Sequence, residues 1–401
     1  MTISKKNLLA ILFFSSFFLI LHIETLSILG IKISYIWKFA LLLYLILKIK
    51  YRYIWSGYYP LIALSFISLL NNDIALDTPT AGVNLFNILI IPLIGIHLTK
   101  FNKEKLNILA TRISLFIALS FIPYALGLME SYGQAYDLEN FGGSFGLVGA
   151  FATAHGASLS LAAAILVILD RYLFDKKYRA YYAIILVIGL LFLIQTHVRT
   201  GLLMLAIGVL VMLACNLKNI KKIQLALIPA ITIFIWLPTT DNFEVLTNRI
   251  IGAGKYTSEE SITDIGSGRG GIYIASINVY SEFNLKELLI GTGKATQMDL
   301  IASKIGLRIG SHNAFLDLLL AHGIIGLCLF LYFLLKTYTR IIKYHKGKDR
   351  NLALSLYWAY IGMCMVQGFN WLFVNILLLL ALTICMKSTP QTSSMPLKIQ
   401  H

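Results

Sequence analysis

Apolar positions in this chain do not keep to one helical face or alternate along strands. They run on continuously, and short polar clusters break them up. A continuous apolar run of about 20 residues is what a membrane-crossing helix requires. Twelve such runs can be read, at about 7–24, 33–49, 53–70, 83–98, 106–128, 145–169, 178–196, 200–215, 222–238, 311–336, 352–368 and 371–387. The last two are separated only by Gln367-Gly368-Phe369-Asn370, so one long helix or a re-entrant pair, and hence eleven spans, is the alternative. The pattern predicts an all-α polytopic membrane protein in four stretches. Residues 1–238 form a bundle of nine spans, and 239–310 a large extramembrane loop. Residues 311–387 carry the last three spans, and 388–401 form a Ser/Thr/Pro-containing, disordered tail.

Composition agrees with the pattern. Hydrophobic residues make up 58% of the chain and charged ones 13%, against about a quarter charged in soluble domains. The net charge of +15 does not mark a nucleic-acid binder, because the Lys and Arg residues lie in short clusters between apolar runs. The four cysteines fall in or beside apolar spans without C-x-x-C spacing, as small apolar fillers do. The opening K-K-N-L-L-A-I-L-F-F is followed by no small-residue cleavage site and reads as a retained first span.

Alternate loops are basic: Lys5 and Lys6; Lys48, Lys50 and Arg52; Lys100, Lys103 and Lys105; Arg171, Lys176, Lys177 and Arg179; Lys218, Lys221 and Lys222; and Lys336 to Arg350. The opposite loops at 71–82 and 129–144 carry only acids. Cations accumulate on the cytoplasmic side, so both termini are expected in the cytoplasm and the loop 239–310 on the opposite side, the periplasm or cell exterior. Within that loop Ile272, Ala275, Val279 and Phe283 recur at helical spacing and predict an amphipathic helix on the membrane surface.

Candidate chemistry lies on that outer face. Arg199, in Q-T-H-V-R-T-G-L-L, is a cation in an outer turn, against the usual bias; an arginine there points to function. Arg269, in G-S-G-R-G-G-I-Y, stands among glycines at the start of the amphipathic helix, where a helix N-terminus favours anions. His312, in R-I-G-S-H-N, can take a proton from a hydroxyl near neutral pH. Arginine forks bind phosphate oxygens and keep their charge, so two arginines and a histidine suit transfer from a pyrophosphate leaving group. Asn313, Arg308 and His197 are supporting candidates; His22, His97 and His155 read as core or interfacial. No metal and no cofactor is called for, since neither D-x-D nor H-E-x-x-H occurs on this face. G-T-G-K-A-T at 291–296 is not a phosphate loop: Leu288 stands at the first glycine and Ala295 after the lysine. Asp317 and His322, inside the tenth span, leave a proton relay open, and with it a secondary transporter or flippase.

Three segments together resemble the O-antigen polymerase/ligase family of bacterial inner-membrane glycosyltransferases of the GT-C type: Q-T-x-x-R-T-G-L-L, G-R-G-G-I-Y, and S-H-N-A-F-L-D-L-L-L-A-H-G-I-I-G. The resemblance covers roughly residues 140–340 and departs from many members at Gly270-Gly271. It implies a metal-independent, inverting transfer of glycan from undecaprenyl pyrophosphate at the periplasmic face. Arg199 and Arg269 would engage the donor pyrophosphate, and His312 would position or deprotonate the acceptor hydroxyl. The acceptor is a second lipid-linked repeat unit in a polymerase and lipid A-core in a ligase. I-G-S-H-N is nearer the polymerases, which also implies a chain-length regulator as partner.

Overall fold

The computed structural model describes residues 27–28, 31–48, 56–71, 79–129, 146–151, 153–216, 269–306, 308–343 and 347–387. The predicted spans 7–24 and 222–238, the loop residues 239–268 and the tail 388–401 lie outside the described residues. Two short strands, β1 (Ser27–Ile28) and β2 (Ile31–Lys32), pair antiparallel, and the other elements among the described residues are helices. The helices are α1 (Ile33–Leu47), α2 (Tyr59–Leu70), α3 (Pro79–Leu98), α4 (Lys103–Leu119), α5 (Ile122–Ala125), α6 (Ala154–Phe174), α7 (Arg179–Gln195) and α8 (Arg199–Ala214). After the undescribed stretch come α9 (Arg269–Ser281), α10 (Leu285–Ile290), α11 (Lys294–Ile305), α12 (Ala314–Lys343), α13 (Lys348–Val366) and α14 (Leu372–Met386).

The chain is a helical membrane protein. Three described stretches are long and apolar enough to cross a membrane, Lys103–Ala125, Ala154–Phe174 and Ala314–Lys343, and six shorter apolar helices accompany them. Helix α12 breaks at Gly323, and at 1.5 Å per residue its second segment, residues 324–343, extends about 30 Å, the thickness of a hydrocarbon core.

Helix α6 is the axis of the bundle. Thr153 caps it by accepting from Gly156 N at 3.1 Å. Its sequence A-S-L-S-L-A-A-A puts small residues all round the helix, and α4, α7, α8, α13 and α14 pack against it. Without a hydrophobic force between helices in lipid, close backbone approach is the source of cohesion. Gly201 and Gly208 of α8 sit against Ser158 and Leu166 of α6, and Ser355 Oγ of α13 donates to Gly208 O at 2.6 Å.

The run 352–387 forms two helices and not one. Gln367 leaves the helix in an extended conformation, and Phe369 O accepts from Tyr360 Oη at 2.9 Å and Asn375 Nδ2 at 2.8 Å. The carbonyl is thereby held from both arms of an α13–α14 hairpin.

The outer helix α9 corrects the surface-helix expectation. Ile272, Ala275 and Val279 are buried, and Val279 packs with Ile301 of α11 and Leu320 of α12, with Phe283 beside them. The predicted apolar stripe therefore faces protein, because α11 and α12 offer it a matching apolar surface. Ile274 and Ile277 on the opposite face are the exposed ones.

Contacts gather the basic loops at one end of the bundle, where Lys100 Nζ donates to Lys48 O and Lys103 pairs with Asp349 at 2.5 Å. At the other end Asn71, closing α2, donates to Ile290 O at 2.5 Å and Ala321 O at 3.0 Å.

Candidate functional site

The segment before α12 is tied on both sides of His312, at Ser311 and Asn313. Asn313 is the helix cap: its Oδ1 accepts from Phe315 N at 3.0 Å and Leu316 N at 3.2 Å, while its Nδ2 donates to Met365 O at 3.1 Å, at the end of α13. Ser311 N donates to Asp317 Oδ1 at 2.9 Å, and Ser311 Oγ donates to Asn313 O at 2.9 Å. Between these two anchors the chain must turn sharply, and His312 takes the left-handed conformation at φ 52°.

That backbone projects the imidazole into a polar junction of helix ends. His312 Nδ1 lies 3.4 Å from Gln367 Oε1 in the α13–α14 link. Its ring stacks on His155, in the first turn of α6, at 6.3 Å between centroids and 28° between planes. Arg269, the first residue of α9, is an electrostatic neighbour of both histidines. Burial pushes the His312 pKa below its ordinary 6.5, and the Arg269 charge pushes it further down. The Gln367 contact and the Asp317 carboxylate oppose the shift, and Lys294 adds to it. The imidazole is thus neutral at pH 7, the form that can accept a proton. Tyr273, one turn along α9, reaches Met365 O at 3.5 Å, the carbonyl that Asn313 also holds.

Arg199 opens α8 after a turn that also contains a left-handed histidine, His197 at φ 53°. His197 is buried, and Leu147 N donates to Gln195 O at 2.8 Å just before it. Val198 O accepts from Ser158 Oγ at 3.3 Å, and Gly201 has no room for a Cβ against the same serine. Arg199 therefore stands at a helix start joined to α6 one turn from His155. Arg269 opens α9 beside the two histidines, and the N-termini of α6 and α12 add positive dipole ends there.

Part of this junction coincides with a match to known sequences: residues 184–331 fit a family model described as O-antigen ligase. The chain carries a domain of the O-antigen polymerase/ligase family. Its members are glycosyltransferase-like O-antigen ligases or polymerases. The matched stretch runs from α7 into α12 and contains Arg199, Arg269, His312 and Asn313. Among curated proteins none matches the chain.

Within this O-antigen polymerase/ligase domain some candidates fall outside the junction. Arg308 is ion-paired with Asp299 at 2.5 Å on the exposed side of α11. Asp317 is occupied by Lys294 Nζ at 2.9 Å, Gln297 Nε2 at 2.6 Å and Ser311, so it fastens α11 to the segment that carries His312. His322 Nε2 lies 2.5 Å from Ser68 Oγ of α2. The G-T-G-K stretch also has a structural place. Helix α12 breaks at Gly323 (φ 65°), which frees the carbonyls of Leu320 and Ala321, and these accept from Thr292 N and Gly293 N at 3.0 Å each. Sequence reasoning set His155 aside and gave Gln367 and Tyr273 no role. Tyr273 lay inside the quoted G-R-G-G-I-Y motif. His155 and Gln367 lie 157 and 55 positions from His312, and no local pattern joins them to it.

Proposed function

We propose that this protein is an O-antigen polymerase, or polymerase of a related surface polysaccharide. It would work at the periplasmic face on undecaprenyl-pyrophosphate-linked glycan as donor and a second lipid-linked repeat unit as acceptor. The observation that carries the reading is the neutral, left-handed His312 wedged between His155 and Gln367, with the Arg269 charge beside it. An acceptor hydroxyl attacks the anomeric carbon of the donor sugar and its proton passes to the imidazole. The bond from that carbon to the pyrophosphate oxygen breaks, and the leaving group keeps the electron pair. Arg199 and Arg269 take up the developing charge, the kind of preorganised stabilisation that carries much of enzymatic rate enhancement. Attack opposite the leaving group inverts the anomeric configuration. No step in this scheme draws on a metal.

A silver-stained lipopolysaccharide gel of a deletion strain tests the reading, beside strains complemented with His312→Ala, Arg199→Ala or Arg269→Ala. We expect core plus one repeat unit in every lane, with each variant present in the membrane. Full ladders from all three variants would end the proposal. Bare core in the deletion strain would turn it to the second reading, a ligase to lipid A-core, which the description of the matching family favours. Transport stands behind both, because Asp317 and His322 are each engaged by protein partners.

A further inference from the structure

We infer that Gln367 is the positioning residue of His312: its Oε1 accepts a hydrogen bond from Nδ1–H and so leaves Nε2 as the proton-accepting nitrogen. The inference rests on the reading of His312 as the base and identifies what makes that base competent.

An amide oxygen can only accept, so a hydrogen bond across the 3.4 Å contact requires the proton on Nδ1. The lone pair is then on Nε2, and one tautomer is selected. The contact is at the long end of hydrogen bonding, as acid–base contacts often are before substrate tightens them. Gln367 is only 4% exposed, and its Nε2 meets no partner among the described residues. A glutamine kept for packing alone would leave a buried donor unsatisfied at a cost of about 1–3 kcal/mol. Here that donor is left for an oxygen of the substrate, next to the imidazole. Position is enforced from both sides, since Gln367 leaves α13 in extended conformation directly after Met365 and Val366, and Met365 O is bonded by Asn313, the residue after His312. The two segments are pinned to each other one residue from His312 and two residues from Gln367. The His155 ring, at 28° to the imidazole, restrains its remaining rotation. The charged and titratable groups that face His312 are His155 on α6, Arg269 on α9, Lys294 on α11 and Asp317 on α12, and among the residues facing it Gln367 is the one placed against Nδ1.

The test is the pH dependence of glycan transfer by full-length protein in proteoliposomes, supplied with the lipid-linked repeat unit extracted from the source cells. Gln367→Glu puts a carboxylate against Nδ1, favours the imidazolium and should move the acid limb of kcat/KM upward by about one pH unit or more. Gln367→Met keeps the volume and removes the acceptor. Its kcat should fall about 10- to 100-fold, a part of the roughly 10²–10⁴-fold that a positioned base supplies, and KM should rise as well because the substrate loses the amide donor. An acid limb that stays in place in Gln367→Glu, or a wild-type kcat in Gln367→Met, overturns the inference while an inactive His312→Ala keeps the reading beneath it. An active His312→Ala overturns both.

Discussion

A left-handed backbone at a residue with a side chain costs of the order of 1–2 kcal/mol. His312 and His197 both carry it, at φ 52° and 53°. Surroundings must over-determine such a residue, and at His312 they do, through the Ser311–Asp317 and Asn313–Met365 bonds on either side. The strain aims an imidazole away from its own helix into the junction of α6, α9 and the α13–α14 link. Burial and Arg269 hold its pKa below 6.5, so protonation, and loss of the base, sets in only under that pH. Transfer should therefore be level around neutrality and decline on acidification, with the acid limb of kcat/KM below pH 6.5. A limb at or above that value in purified protein would contradict the environment described for His312.

Among the elements, the break in α12 matters most for shape. Gly323 ends the first helical segment, and the Thr292 and Gly293 amides, which follow Gly291, bond the carbonyls that it frees. Gly291 stands at φ 77°, and a Cβ there would lie 2.3 Å from Ala321 C and from His322 N. Gly291→Ala thus suffers both from its dihedral and from a collision with backbone, and should destabilise by more than about 1 kcal/mol. Thermal unfolding in detergent should show a lower Tm than wild type, and an unchanged Tm would mean that the loop does not dock on α12 this way. The same docking delivers Lys294 and Gln297 to Asp317, so α11 and the segment that carries His312 are one mechanical unit.

For the whole molecule, the central α6 holds one end of the site while basic clusters occupy the far end of the bundle. Those clusters predict the sidedness. Alkaline phosphatase fused within the loop, after residue 290, should be active, and green fluorescent protein fused after residue 401 should fluoresce. An inactive phosphatase with a dark C-terminal fusion would invert the orientation and put His312 on the cytoplasmic side.

Apolar run length, cation distribution and three short motifs are local properties, and each was legible in the sequence. They sufficed for a helical membrane protein, for the family and for Arg199, Arg269 and His312 as candidates, because lipid forces backbone groups to pair within each segment. What gave His312 its neighbours was tertiary. His155 reaches His312 only because α6 and α12 start at the same end of the bundle, and Gln367 reaches it only because α13 and α14 fold back as a hairpin. The inward turn of the Ile272–Val279 stripe was likewise decided by α11 and α12, since an apolar helix face buries equally well against lipid or protein. Periodicity says that a face is apolar; only the neighbouring helices decide what covers it.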